Sequence, residues 1–239
     1  MFLSQLQQGK PLWTLSRHLL HTQLDKVSAT ESASILHLHP YKSRAAVWRE
    51  HKEPKPFSLL PSPRVQAMEW GNLYERDAVV AGLSIIMTQE KYDGSQKNHL
   101  EWCTPGILLG ADGITCCSPD ALWKDRDGGW HGLEVKCPWN PENIPTPQAA
   151  LTQDPHYLLQ AFHCLHTTDC LDWHLFYYDP RNLRNRRLIK VERNDGLWNS
   201  MLTHYRSFLS LESEPTRKSK YDRLVGETLL NRLKTELIE

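Results

Sequence analysis

Apolar residues recur at helical spacing towards both ends of the chain and in short strand-like runs in its middle. Trp198, Leu202, Tyr205 and Leu209 fall at i, i+4, i+7 and i+11, one face of a helix. Leu229, Leu230, Leu233 and Leu237 continue such spacing and predict a further helix over 218–239. Upstream, Met68, Leu73 and Val80 lie near helical spacing within 64–83. Gly82 is expected to end that helix, with a short strand at 85–87. Thr30 is expected to cap a short helix through 35–38, which His39-Pro40-Tyr41 breaks. Residues 44–52, with Val47 and Trp48, read as another helix. Pro54, Pro56, Pro61 and Pro63 make 54–63 an irregular spacer.

The middle reads as sheet. Runs at 106–109, 121–123 and 132–136 are separated by Gly110-Ala111-Asp112-Gly113, Ser118-Pro119 and Asp127-Gly128-Gly129. Residues 157–167 return to helix. Strands follow at 173–178 and 188–192, joined by the basic, turn-rich 179–187. This order predicts an α/β fold, a central mixed β-sheet flanked by helices, with helical N- and C-terminal additions. The length of 239 residues suits a single domain over 1–239, with a core at about 64–195 and C-terminal helices at about 196–239.

Composition narrows the class. Hydrophobic residues make up 40% and charged residues 23%, as in soluble globular chains. The 28 basic and 28 acidic residues cancel, which argues against a histone-like or tail-driven nucleic-acid binder. A local basic stripe opposite an acidic site remains compatible with that balance. No apolar run reaches the length of a membrane span, and Met1–Lys10 has no apolar signal core, so a cytoplasmic protein is expected. Cys103, Cys116, Cys117, Cys137, Cys164 and Cys170 form no CxxC pair, which argues against a zinc ribbon. They read as reduced and mostly core.

The chemistry is concentrated in Ser118-Pro119-Asp120 and Gly132-Leu133-Glu134-Val135-Lys136-Cys137-Pro138. Residues two apart in a strand share a face, so Glu134 and Lys136 point together while Leu133 and Val135 face the core. A hairpin through Asp127-Gly128-Gly129 returns Asp120 to the neighbouring strand. Two adjacent carboxylates repel unless a cation lies between them. Oxygen ligands suit Mg²⁺ or Mn²⁺, which complete their shells with water and phosphate. A nearby lysine can orient or deprotonate water, or stabilise charge on a phosphate. A lone Glu-x-Lys is also what an exposed strand with a surface ion pair looks like. Here its apolar flanks, the Ser-Pro before Asp120 and the hairpin-length turn favour a site.

These residues resemble the PD-(D/E)xK nuclease motif. The resemblance narrows to the phage lambda exonuclease / YqaJ-type viral recombinase nucleases through further words in the same order: Val27-Ser28-Ala29-Thr30-Glu31, Pro40-Tyr41-Lys42-Ser43-Arg44, Trp70-Gly71-Asn72-Leu73-Tyr74-Glu75-Arg76-Asp77-Ala78, Tyr157-Leu158-Leu159-Gln160 and Tyr178-Asp179-Pro180-Arg181. It spans roughly 12–195 and implies a restriction-endonuclease-like core. It implies that Asp120, Glu134 and the Val135 backbone carbonyl hold the metal, and that Lys136 activates water. Glu75 assists as an acidic neighbour, and Gln160 orients water or phosphate. Thr30 stands where the family contacts a DNA 5′-phosphate, with Arg17 and Arg44 as candidate arginines for that pocket. Arg17 is spaced differently from the family's arginine.

The implied activity is a Mg²⁺-dependent 5′-to-3′ exonuclease, with Mn²⁺ able to substitute. It degrades linear double-stranded DNA to 5′-mononucleotides and leaves 3′ single strands for phage-type recombination by strand annealing. The resemblance further implies a ring-shaped homotrimer on DNA ends, a single-strand annealing protein as partner, and a bacterial host cell of a phage or prophage. The competing readings are an endonuclease on the same core and a non-catalytic DNA-binding module.

Overall fold

The computed structural model describes residues 5, 11–22, 24–52, 62–89, 101–216, 220–233 and 235–238. The expected spacer, apart from Ser62 and Pro63, lies outside them. Among the described residues the strands form two sheets. The smaller orders β1 (Val27–Ser28), β4 (Thr115–Cys117) and β3 (Leu108–Leu109). The larger orders β2 (Trp102–Cys103), β5 (Ala121–Lys124), β6 (Trp130–Lys136), β7 (Asp172–Tyr178), β8 (Arg186–Glu192) and β9 (Thr235–Ile238). Its neighbouring strands are antiparallel except β6 and β7. That parallel pair requires a crossover, supplied by α5 (Pro147–Gln153) and α6 (Pro155–Thr167). Proline opens both helices, where its missing N–H costs nothing.

The β5–β6 hairpin is closed by Asp125, whose Oδ1 accepts the Gly129 N–H at 2.7 Å. Gly128 sits at φ +86°, a conformation that a side chain would strain. Both faces of the sheet are covered. On one, Ala78, Val79, Leu83 and Ile86 of α4 (Ser62–Gln89) pack on Leu133, Val135 and Phe176. On the other, Leu158, Leu159 and Phe162 of α6, and Leu197, Met201 and Tyr205 of α7 (Asp195–Leu209), share a core with Leu175, Tyr177 and Ile189. Strand β6 is therefore buried through its middle on both faces, so Glu134 lies inside the protein.

Several expectations change. Helix α4 does not stop at Gly82 but runs to Gln89, and 85–87 is its continuation, not a strand. Gly82 serves a close approach instead, since a Cβ there would meet Phe176 Cδ1 at 3.1 Å and Leu133 Cδ2 at 3.2 Å. Met68, Leu73 and Val80 face solvent. Apolar residues lie on more than one side of α4, so spacing alone did not identify its buried face.

At the C-terminus, α8 (Lys220–Asn231) ends early, and Thr235–Ile238 is a strand with Leu237 opposite Ile189. Strand β8 would otherwise present unpaired backbone groups, and β9 satisfies them. At the N-terminus, α1 (Pro11–Thr22) precedes a 3-10 turn at Ala29–Glu31 and α2 (Ser32–Ile35). Ser28, not Thr30, caps the 3-10 turn, where Glu31 Oε2 accepts from Ser28 N at 2.8 Å and from Ser28 Oγ at 3.0 Å. Helix α2 has Glu31 at its N-cap and ends at Ile35, short of the expected 35–38. Helix α3 (Arg44–Lys52) has the expected limits.

Candidate active site

The hairpin register builds the centre. Ala121 pairs with Leu133, so one step further places Asp120 beside Glu134. Asp120 Oδ2 accepts the Val135 N–H at 2.8 Å, which ties the start of β5 to the strand bearing the other acid. Glu134 Oε1 receives Lys136 Nζ at 2.7 Å and also the Gln160 side-chain amide from α6. Asp120 is 8% exposed and Glu134 3%. The sequence-derived set of Asp120, Glu134, Lys136 and Gln160 thus comes together, joined electrostatically by Glu75 from α4.

These charges are incompletely balanced. Burial holds the Asp120 carboxyl well above the usual range, and Glu134 and Glu75 push it further, against Lys136 and the Val135 N–H. Burial and then Glu134 raise Glu75 in the same way, with Lys136 opposing. Burial alone would lower Lys136, but Glu134 and Asp120 outweigh it, and the amine is held as an ammonium. One amine faces three carboxylates. Glu134 Oε2 is also buried without a hydrogen-bond partner, a state that normally costs free energy.

Such a donor set fits a hard divalent cation. Among the described residues no three His, Cys, Asp or Glu side chains converge closely enough to hold an ion unaided. The buried carboxylates of Asp120 and Glu134 are the side chains here that could contribute oxygen ligands. Water and a phosphate would complete the shell, as Mg²⁺ prefers.

The supporting residues were less legible. Tyr157 lies one turn before Gln160, and its ring centre is 4.7 Å from Lys136 Nζ. His163 lies one turn after. Its Nδ1 is 2.9 Å from Ser32 Oγ and 3.2 Å from Tyr205 OH, and Nε2 is 3.2 Å from the Cys116 carbonyl. Burial pushes its pKa down to about 4, so the ring is neutral. Nε2–H donates to the carbonyl, and Nδ1 is left to accept. His163 therefore fixes α6 against β4, α2 and α7, which sets where Gln160 points. The signal available in sequence was the i, i+3 row Tyr157, Gln160, His163.

Two openings flank the centre. A wide cleft of about 750 Å³ is lined by Glu75, Lys136, Tyr157, Met68 and Trp139. A small pocket of about 80 Å³ is lined by Glu134, Gln160, Ser28, Thr30, Ser118 and Trp13. Thr30 thus lies beside the centre, its Oγ1 3.2 Å from Ser28 Oγ. Arg44 is not brought to that pocket. It lines a separate cleft with His37 and Glu214, and its guanidinium stands 5.5 Å from the Phe208 ring centre. Arg17 lies on α1, and its side chain is outside the described residues. In the basic turn, Arg181 Nε donates to Asp179 Oδ1 at 2.9 Å. All six cysteines are unbridged, and Cys116, Cys117, Cys164 and Cys170 are buried. Among the described residues no helix is long and apolar enough to cross a membrane.

A mixed sheet flanked by helices, with one acid entering β5 and an acid and a lysine two apart on β6, defines a restriction-endonuclease-like protein. Residues 18–171 match the YqaJ-like viral recombinase domain. The chain belongs to that family. An alkaline exonuclease from Laribacter hongkongensis, LHK-Exo, superposes with a TM-score of 0.60 at 20% identity, over 93% of this chain and 97% of that one. Its complex with dAMP gives 0.58 at 18% identity, with the same coverage. A phage related exonuclease from Haemophilus somnus 129PT gives 0.51 at 12% identity, over 89% and 99%. At these identities the likeness is one of fold. No curated protein matches the chain significantly.

Proposed function

We propose that this chain is a Mg²⁺-dependent 5′-to-3′ exonuclease of linear double-stranded DNA. The observation that carries the reading is the Asp120–Glu134–Lys136–Gln160 cluster, its two carboxylates buried and Glu134 Oε2 unsatisfied, set between two openings. Family membership and the exonuclease fold of its structural neighbours support it.

Asp120, Glu134 and the Val135 carbonyl would hold the ion, which when bound supplies Lewis-acid polarisation of a phosphate and its attacking water. Gln160 fixes the Glu134 carboxylate and leaves one of its oxygens available. Lys136, an ammonium in this setting, orients water through its N–H donors and offsets charge on the phosphate. Glu75 adds an acceptor on the Lys136 side. In the reaction, water adds to phosphorus and the bond to the 3′ oxygen of the preceding nucleotide breaks. That oxygen gains a proton, giving a 5′-mononucleotide and a new 5′-phosphate on the shortened strand. Thr30 and its neighbours in the small pocket are the groups proposed to receive that 5′-phosphate.

A ring-shaped homotrimer and a single-strand annealing partner complete the proposal. A topological link would serve a chain of zero net charge, because a threaded ring needs no strong overall electrostatic attraction to DNA. The test uses a 5′-phosphorylated duplex, labelled at either 5′ or 3′ ends, beside a covalently closed circle. Mononucleotide release from 5′ ends, with the circle intact, is expected. Cutting of the circle would favour the endonuclease reading. Light scattering checks the trimer.

A further inference from the structure

The wide cleft beside Lys136 contains a feature that the reaction chemistry does not use. Trp139 lies three residues past Lys136 and lines this otherwise mixed cleft, yet it is 54% exposed. Water contact over that much of an indole is costly unless something covers it.

The ring is well supported. Trp139 packs perpendicular to Trp70, centres 5.1 Å apart, and Trp70 packs on Tyr74 at 4.5 Å. The Arg181 guanidinium lies 4.8 Å from the Trp70 ring centre and is itself anchored by Asp179, which is 2% exposed. Asn185 braces the same carboxylate and the Pro141 carbonyl, just past Trp139. A half-exposed tryptophan braced by α4, by the loop after β6 and by the turn after β7 is a preorganised surface rather than a core residue that failed to bury. A flat apolar ring in a cleft with an ammonium and carboxylates suits a ligand that is itself flat, apolar on its faces and anionic along its backbone.

We propose that Trp139 is a stacking subsite for one nucleobase of the DNA strand held beside Lys136. The inference rests on the nuclease reading and adds a substrate contact to it. Stacking on an aromatic ring is sequence-tolerant, because every base has a π-face. Trp139 therefore aligns the strand relative to the metal ligands without selecting sequence, and its loss weakens DNA binding in the ground state.

The experiment measures binding of a short 5′-phosphorylated duplex in Ca²⁺, so that it does not depend on turnover. Its arms are wild type, Trp139→Ala and Trp139→Phe, each against duplexes with one abasic site stepped through the terminal positions of either strand. Trp139→Ala is expected to weaken binding roughly tenfold, and Trp139→Phe to retain most of it. At one position the abasic site should weaken wild type by the same factor and leave Trp139→Ala unchanged. A merely structural role would give a loss that no abasic position cancels, and equal binding by all three proteins would equally overturn the subsite. Wild type that binds no duplex end overturns the nuclease reading along with it. Matched melting curves confirm that the variants fold.

Discussion

Lys136 Nζ donates to Glu134 Oε1 across 2.7 Å, and both side chains leave the same face of β6. Pairs two apart on exposed strands contribute little, because water screens them. This pair is different because Glu134 is 3% exposed and Asp120 adjoins it. Removing the amine leaves buried carboxylates facing one another. Lys136→Ala should lower cleavage by roughly 10²–10⁴-fold, the range for a positioned proton-transfer or orienting group. DNA-end binding in Ca²⁺ should be retained. Lys136→Arg should not restore turnover, since a planar guanidinium cannot replace a compact ammonium. Single-turnover cleavage and gel-shift binding separate the two effects.

Asp120→Asn tests charge crowding in the absence of metal. The asparagine oxygen can still accept the Val135 N–H, but the like-charge repulsion with Glu134 and Glu75 is gone. Without divalent ions the variant should melt higher than wild type by roughly 2–4 °C, as relief of about 1 kcal/mol produces in a chain of this size. Wild type should gain stability on addition of Mg²⁺, and the variant should gain little. Differential scanning calorimetry with and without Mg²⁺ reads both. A wild-type melting temperature indifferent to Mg²⁺ would count against the metal site.

Gly132→Ala probes packing behind the centre. A Cβ there would collide with the fully buried Trp173 ring across the parallel β6–β7 pair. Overpacking of this kind costs about 1–3 kcal/mol, and the shift of β6 would move Glu134 with it. Both stability and cleavage should fall. Gly71→Ala is the control, since nothing lies within 4 Å of its added methyl and alanine favours helix. Urea denaturation compares them, and equal midpoints would contradict the packing described.

Acid should unfold the protein early. Burial lowers His163, His166 and His174 to about 4 each, against an ordinary value of 6.5. The unfolded chain then binds protons that the folded chain refuses. Their contribution to stability is complete above about pH 6.5 and is lost as pH falls towards 4. His131 runs the other way. Its hydrogen bonds to Asp172 and Asp125 outweigh burial and raise its pKa, so its contribution is present below 6.5 and lost as pH rises through the raised value. Between 6.5 and 4 His131 changes little. Five lowered histidines, His39 and His156 joining these three, outnumber the raised carboxyls of Asp120, Glu75 and Asp154, which add stability as pH falls. A net loss on acidification from 6.5 to 4 is expected, measured as the urea midpoint at a series of pH values. A midpoint that rises over that interval would contradict it.

The sequence showed most clearly those features that local chemistry dictates. The β5–β6 hairpin is such a case, because Asp127-Gly128-Gly129 can do little but turn and Glu134-Val135-Lys136 alternates with the pleat. Gln160 and Glu75 reached the site through resemblance, since nothing in a lone helix says which strand it will cover. The extent of α4 was missed because Gly82 reads as a stop until Phe176 and Leu133 are seen against it. Strand β9 was missed because Leu229, Leu233 and Leu237 mimic a helix, while the need of β8 for a partner is a tertiary fact. His163 was invisible for the same reason, its partners lying on three distant segments.

The proposed function depends on Asp120 and Glu134 sharing one divalent ion next to a DNA phosphate. The direct measurement is mononucleotide release from a linear 5′-phosphorylated duplex by wild type, Asp120→Asn and Glu134→Gln, each titrated with Mg²⁺. Wild type should release 5′-mononucleotides only when Mg²⁺ is present, and both variants should be inactive at every concentration while remaining folded. Release that proceeds in chelator, or that survives either substitution at the wild-type rate, would contradict the assignment.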